Sequence, residues 1–127
     1  MEWFKTILRN ISVGIGIIRK PALIGDFLEE HPIPENIQAG VVYVIRSAGY
    51  PKWAIFRCPE HENEIIQLCL MEKRRPRWTV KMDWLGRPTI NPSVRQLESP
   101  YAHFWVKTGH VEWCADSGRR PQNIAEA

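Results

Sequence analysis

The sequence predicts a mainly β fold of the α+β class: a small antiparallel sheet or half-barrel of β-hairpins with one N-terminal helix. Roughly six or seven short segments rich in β-branched and aromatic residues follow one another, separated by turn residues, between residues 40 and 116. Only the first residues show the apolar spacing of a helix. The chain has 127 residues, enough for one hydrophobic core without disulfides. We therefore expect a helix and linker arm (1–39), a β domain that carries the site (40–116) and a tail that frays (117–127).

The N-terminal segment predicts an amphipathic helix, because apolar residues at positions 3, 4, 7, 8 and 11 share one helical face. From Ile11 onward, a β-branched run with Gly14 and Gly16 leaves an extended segment open as an alternative. Charged residues at both ends and inside the segment argue against a membrane span. An interfacial helix is a further alternative, but we favour a helix that packs on its own domain. Residues 21–39 contain several prolines and predict a surface linker.

Five strands are predicted before the last hairpin of the β region. Their β-branched and aromatic content selects residues 41–46, 52–57, 64–71, 78–84 and 89–94. The basic segment 73–77 is typical of a solvated loop, although arginines at this density can also bind a carboxylate tail. This succession favours a mainly antiparallel sheet folded over on itself, with the N-terminal helix as its cover.

The strongest hairpin signal is the segment 102–115, where two alternating apolar runs flank Lys107-Thr108-Gly109-His110. With the two central residues of this motif as the loop, the predicted cross-strand pairs are Lys107 with His110, Val106 with Val111, Trp105 with Glu112, Phe104 with Trp113 and His103 with Cys114. One face is then wholly apolar and should be buried, and it consists of Phe104, Val106, Val111 and Trp113. On the other face, the His103 imidazole and the Cys114 thiol become neighbours.

Composition narrows the classes of function. Lys and Arg number 17 against 14 Asp and Glu, and the net charge of +3 is too small to predict nucleic-acid binding by itself. A single-stranded nucleic-acid binder that stacks bases on its tryptophans is therefore the least favoured alternative. Three cysteines and no evident secretory signal predict free thiols in a reducing compartment, the cytoplasm.

Two pairs of residues predict a Zn2+ site. Cys58 and His61 have the spacing of a knuckle, and His103 and Cys114 form the cross-strand pair. Together they would make a closed tetrahedral Cys2His2 site, with His103 as the fourth ligand only if it is not catalytic. The alternative is a buried free thiol and a surface histidine. Cys69, inside an apolar run, is predicted to lie in the core.

Ser93, in the motif Asn91-Pro-Ser-Val, lies just before the hairpin. A serine near a histidine can become an activated nucleophile, but a serine after proline is more often a turn residue whose hydroxyl caps the backbone. The sequence contains no nucleophile elbow, His-Glu-x-x-His motif, P-loop or dinucleotide fingerprint. The residues alone therefore leave both interpretations of Ser93 open.

Four ordered motifs carry a resemblance to a known family. They are Phe56-Arg-Cys-Pro, Arg75-Pro-Arg-Trp-Thr, Pro88-Thr-Ile-Asn-Pro-Ser-Val and His103-Phe-Trp-Val with Val111-Glu-Trp-Cys. Over residues 41–114 the chain resembles small bacterial proteins of unknown-function type that are often encoded beside E1-like, E2-like and ubiquitin-like proteins in conjugation operons. The resemblance implies a metal-binding protein and a peptidase that processes or removes the ubiquitin-like modifier. Ser93 and His103 stand at positions that match family motifs.

The chain departs from the family pattern at two places. After Arg57-Cys58-Pro59 the family is richer in cysteine, where this chain has Glu-His-Glu at residues 60–62. A cysteine expected just before the His-Phe-Trp motif is replaced within residues 99–102. If the metal of the family uses those cysteines, this chain has either re-formed the site with His61 and His103 or lost it.

Whether the chain is an enzyme depends on His103. The favoured function is a serine hydrolase in which Ser93 attacks the C-terminal carbonyl of the modifier, with His103 as general base and Asp83 or Asp116 as the orienting group. Its extended substrate would lie in a groove formed by Arg75, Arg77, Trp78 and Trp105.

The alternative is a non-catalytic zinc-binding adaptor of the conjugation system. His103 cannot serve both functions, because zinc would use the lone pair that a general base needs. In either case, the expected partners are a ubiquitin-like protein and its E1-like and E2-like enzymes, with no nucleic acid and no membrane span.

Overall fold

The computed structural model describes residues 2–14 and 21–121, and it confirms the mainly β fold as two four-stranded sheets with one N-terminal helix. Helix α1 is Glu2–Gly14, and a single 3-10 turn is Pro34–Asn36. The strands of the first sheet are β1 Ile24–Leu28, β2 Val41–Ser47, β3 Tyr50–Arg57 and β4 Ile65–Cys69. Those of the second sheet are β5 Thr79–Met82, β6 Pro88–Arg95, β7 His103–Lys107 and β8 His110–Trp113.

Both sheets keep their strands in chain order, β1-β2-β3-β4 in the first and β5-β6-β7-β8 in the second. Neighbouring strands are antiparallel except β1 and β2, which are parallel. Alternate side chains from both sheets meet in one core, which includes Phe56 and Leu68 from the first sheet and Val94 and Phe104 from the second. The rings of Phe56 and Phe104 meet edge to face, with centroids 6.3 Å apart. The two sheets are therefore joined by a shared apolar interior.

Strand β1 corrects the prediction of a surface linker at residues 21–39. It pairs in parallel with β2, from Ile24 with Val41 to Leu28 with Ile45. The adjacent Leu23 is buried in the core. The strand was missed because Gly25 and Asp26 interrupt its apolar residues. Gly25 lies against Met82, and a Cβ at this position would overlap the methionine side chain.

Helix α1 is confirmed, but its packing is not. The apolar residues Trp3, Phe4, Ile7 and Ile11 are exposed, so the expectation that this face covers the sheet is wrong. The buried side chain is instead Arg9, whose Nη1 donates a 2.9 Å hydrogen bond to the Leu85 carbonyl. The extended alternative proposed from Ile11 onward is wrong for residues 11–14, which are helical, and its remainder, residues 15–20, lies outside the described residues. No helix in the described part of the chain is long and apolar enough to span a membrane.

The β7–β8 hairpin has the predicted register, from Lys107 with His110 to Phe104 with Trp113. Thr108 and Gly109 both have positive φ angles, as a type I′ two-residue loop requires. Phe104 and Val106 are fully buried, and Val111 is half-buried. Trp113, however, is 38% exposed, so the prediction that all four residues are buried together is wrong at this position. Its strand lies at the edge of the sheet, where the indole contacts the Phe104 ring in a tilted arrangement, with centroids 5.2 Å apart, but is covered on fewer sides.

Candidate active site

Ser93 lies in an irregularity of β6. Ile90 pairs with Val106 and Val94 pairs with Phe104, so three residues of β6 stand opposite the single residue Trp105 of β7. Extra residues of this kind bend a strand and change the direction of their side chains, and they are frequent beside active sites. Because Val94 points into the core, Ser93 is directed out of the sheet, and it is half-buried.

The hydroxyl of Ser93 meets His103. Ser93 Oγ lies 3.1 Å from His103 Nε2. His103 is held opposite Arg95 by the ladder between β6 and β7, and its side chain is only 16% exposed. This is the geometry expected of a nucleophile and its general base.

The other ring nitrogen of His103 is bonded to Asp116. His103 Nδ1 lies 2.6 Å from Asp116 Oδ1, and the second carboxylate oxygen lies 3.0 Å from Arg95 Nη2. The hydrogen bond from His103 is the main cause that lowers the pKa of the Asp116 carboxyl, and the positive charge of Arg95 lowers it further. With its Nδ1 proton donated to this carboxylate, His103 presents the Nε2 lone pair to the hydroxyl of Ser93. Of the two predicted orienting aspartates, Asp116 is therefore the one beside His103.

Asp83 forms its hydrogen bonds within the turn between β5 and β6. Its Oδ1 accepts hydrogen bonds from the backbone N–H groups of Leu85 and Arg87, and its Oδ2 accepts one of 2.6 Å from Arg87 Nε. These contacts hold a turn in place. The possibility that Asp83 orients His103 is therefore wrong.

The turn after β8 brings Asp116 into place. Cys114 N–H donates to the His103 carbonyl at 2.9 Å, and Ser117 Oγ accepts from the His103 N–H at 3.0 Å. Gly118 N–H donates to the Tyr101 carbonyl at 2.8 Å. The expectation of a frayed tail from residue 117 is thus wrong at its beginning, whereas residues 122–127 lie outside the described residues.

Trp78 is the one predicted substrate-binding residue with a described hydrogen bond to the segment of Ser93. Its Nε1–H donates to the Ser93 carbonyl at 3.2 Å. Arg75 donates to carbonyls of its own loop, and Arg77 donates to the Leu70 carbonyl while lining a separate cleft of about 370 Å³. Trp105 is half-buried, with Lys107 Nζ 5.5 Å above its ring. The structure therefore does not bring these four residues into one groove.

The predicted zinc ligands do not converge either. Among the described residues, the group with metal-ligating atoms close together is His103, Cys114 and Asp116, whose atoms lie within 4.8 Å of one another. Cys58 is fully buried, with its Sγ 4.0 Å from Gln96 Oε1. Burial raises the pKa of this thiol, which disfavours the thiolate that zinc binds.

The predicted His61 ligand is an exposed residue in the tight turn after Cys58, and Cys69 is half-buried in β4. The donor set therefore does not fit a Cys2His2 site. Cys58 and His61 instead match the alternative of a buried free thiol and a surface histidine.

Sequence reasoning missed Arg95 and Ser117, which hold Asp116 and the backbone of His103. The alternation of β6 was a usable signal for Arg95, because residues 93 and 95 of a strand share one face. No sequence signal marked Ser117, since its contact depends on the turn that follows the hairpin.

A comparison with protein families gives a match that covers the strands that hold Ser93 and His103. The model of a family described as bacterial ubiquitination-like system serine protease (BubE) matches residues 29–114, more than half of the chain. Neither the curated proteins nor the solved structures give a match. A serine hydrogen-bonded to a histidine is the arrangement that a serine protease requires. The chain thus belongs to the bacterial ubiquitination-like system serine protease (BubE) family.

Proposed function

We propose that this protein is a serine peptidase that processes or removes a bacterial ubiquitin-like modifier, with Ser93 as nucleophile, His103 as general base and Asp116 as orienting group. The main support is two consecutive contacts. Ser93 Oγ lies 3.1 Å from His103 Nε2, and His103 Nδ1 lies 2.6 Å from Asp116 Oδ1. The family to which the chain belongs supports both the peptidase activity and its ubiquitination-like setting.

The reaction follows from these positions. As Ser93 Oγ bonds to the scissile carbonyl carbon, its proton passes to His103 Nε2, and the carbonyl oxygen takes the negative charge of a tetrahedral intermediate. His103 then gives the proton to the leaving amine, the C–N bond breaks, and an acyl ester on Ser93 remains. Water then gives a proton to His103 Nε2 and attacks the ester carbon. The bond from that carbon to Ser93 Oγ breaks, the acid leaves, and His103 returns the proton to Ser93 Oγ. Asp116 stays ionised throughout and stabilises the imidazolium. Arg95 holds the Asp116 carboxylate in place for this role.

The expected partners are the modifier and the E1-like and E2-like enzymes that attach it. The alternative of a zinc-binding adaptor has less support, because Cys58 and His61 are not grouped with His103 and Cys114. Both ring nitrogens of His103 also have partners already. Zinc therefore has no step in the proposed mechanism.

The test is covalent labelling of Ser93 with a fluorophosphonate probe, together with hydrolysis of p-nitrophenyl acetate. Both signals should be lost in Ser93→Ala and His103→Ala, with circular dichroism and melting curves close to those of the wild type. Ser47→Ala is the matched control, because Ser47 is an exposed serine at the end of β2, in the other sheet. Labelling of wild type that persists in Ser93→Ala would overturn the proposal.

A further inference from the structure

We infer that the peptide to be cleaved binds as an added β-strand in a groove between the free edges of β4 and β6. This inference rests on the proposed function and specifies how the same site holds its substrate. The groove has a volume of about 340 Å³ and is lined by residues 64–68, Trp78 and residues 94–99. Its two long walls therefore come from different sheets.

The ladder between β3 and β4 shows which backbone groups of β4 are already used. In an antiparallel pair, hydrogen-bonded and non-hydrogen-bonded positions alternate. Leu70 N–H donates to the Lys52 carbonyl at 2.9 Å, and Cys58 N–H donates to the Glu64 carbonyl at 2.8 Å. The observed register runs without interruption between these two bonds. The even-numbered residues of β4 are therefore the ones bonded to β3.

It follows that Ile65, Gln67 and Cys69 turn their N–H and C=O groups away from β3, toward the free edge. Cys69 shows this directly, because its carbonyl accepts a 2.9 Å hydrogen bond from Trp78 N–H at the end of the groove. In the described part of the chain no strand pairs with β4 on this side. The outward groups of Ile65 and Gln67 are thus available to an added strand.

The opposite wall, formed by β6, also has backbone groups that point into the groove, at Arg95. Gln96 N–H donates to the Ala102 carbonyl at 2.8 Å, and in the same register Arg95 stands opposite His103. Arg95 is therefore at a non-hydrogen-bonded position and turns its backbone groups away from β7. On that side β5 pairs with β6 only as far as Asn91. The groove consequently offers backbone donors and acceptors on both walls.

The groove adjoins the segment that carries the nucleophile, although Ser93 itself does not line it. Trp78 lines it and donates from its indole to the Ser93 carbonyl at 3.2 Å. The next two residues after Ser93, Val94 and Arg95, form part of its wall. A strand added beside Arg95 at the usual spacing of about 4.8 Å would run along β6 toward Ser93, whose own carbonyl is bonded to Trp78. Only an extended chain can present backbone groups to both walls, so the occupant is an unfolded segment such as the tail of the modifier and not the surface of a folded domain.

This groove is distinct from the one predicted from sequence. Of Arg75, Arg77, Trp78 and Trp105, only Trp78 lines it. Its affinity would come mainly from backbone hydrogen bonds, and the sequence preference from the side chains that alternate toward its floor.

The test compares Gln67→Pro with Gln67→Ala on a positional-scanning library of tetrapeptidyl coumarin amides. Proline removes the outward N–H without touching a bond to β3, and proline is tolerated on edge strands. Alanine removes the exposed side chain but keeps the N–H. We expect kcat/KM for the preferred peptides to be at least tenfold lower in Gln67→Pro than in Gln67→Ala, mainly through a higher KM.

A second measurement needs no variant. Backbone N-methylation of the preferred peptides, one position at a time, should lower kcat/KM for wild type at least tenfold at alternate positions and much less between them. If the two Gln67 variants have equal kcat/KM and the methylated peptides show no alternation, the proposed groove is overturned. Fluorophosphonate labelling of Ser93 would in that case still support the peptidase. Absence of both labelling and peptide cleavage would overturn the peptidase, and the groove with it.

Discussion

His103 Nδ1 and Asp116 Oδ1 lie 2.6 Å apart, although the carboxylate is in a turn outside the sheet and its side chain is 42% exposed. The turn is held by hydrogen bonds to the backbone of His103 itself. The orienting group is therefore supplied by the same hairpin as the base, and its contribution can be measured by single substitutions.

Asp116→Asn should lower kcat for p-nitrophenyl acetate and for peptide amides on the order of 10²–10⁴-fold, because the amide no longer stabilises the imidazolium and favours the wrong tautomer. Glu112→Gln is the matched control, since it removes one exposed negative charge from the same hairpin. Steady-state kinetics of both variants give the comparison. Equal kcat values for wild type and Asp116→Asn would remove Asp116 from the mechanism.

The carboxyl of Asp116 should titrate below the ordinary value of 3.8, and the hydrogen bond from His103 is the main cause. A lowered pKa in the folded state means that the pair stabilises the fold fully above the unfolded value, and that this contribution is lost as pH falls through the folded pKa. In His103→Ala the pKa should rise toward 3.8. Carbon-detected NMR titration of the side-chain carboxyls measures both values, and a shift in the opposite direction would contradict the assignment.

Zinc should not be required for stability. The predicted ligands Cys58 and His61 are not grouped with His103 and Cys114, so these four residues form no assembled site from which a chelator could remove metal. Protein purified without added metal should keep its melting temperature in excess chelator, and elemental analysis should give much less than one zinc per chain. Near-unit zinc with a lower melting temperature after chelation would restore the Cys2His2 site and require the loop after Cys58 to move.

Two aromatic truncations in the same cross-strand pair should differ in cost. Phe104→Ala removes a fully buried ring and should lower the free energy of unfolding by about 3–5 kcal/mol. Trp113→Ala should cost clearly less, because its indole is 38% exposed at the sheet edge. Urea denaturation of the two variants provides the comparison, and equal losses would mean that Trp113 is covered in solution.

Local patterns predicted much of the fold and part of the site. Alternation and a Gly-containing loop were sufficient for the β7–β8 register, which places His103 beside Cys114. Strand β1 was not predictable in this way, since its identity depends on a parallel partner 17 residues away, as in Ile24 with Val41. The contact of Ser93 with His103 was suggested by the family resemblance, and its geometry depends on the irregular pairing of β6. The Cys58 and His61 half of the zinc site was predicted from spacing alone, and spacing does not show which side of a turn a ligand faces.

The chain order of the strands in the second sheet also affects how the site arises during folding. Ser93 and His103 are 10 residues apart, and His103 and Asp116 are 13 apart, so β6, β7, β8 and one turn carry every proposed reacting side chain. Closing loops of this length costs little entropy, and contacts this local can form early. The first sheet then contributes the far wall for the peptide rather than any reacting group. Insertions in the loops of the first sheet would therefore change which peptides bind in the groove, while the arrangement of Ser93, His103 and Asp116 on the second sheet stays the same.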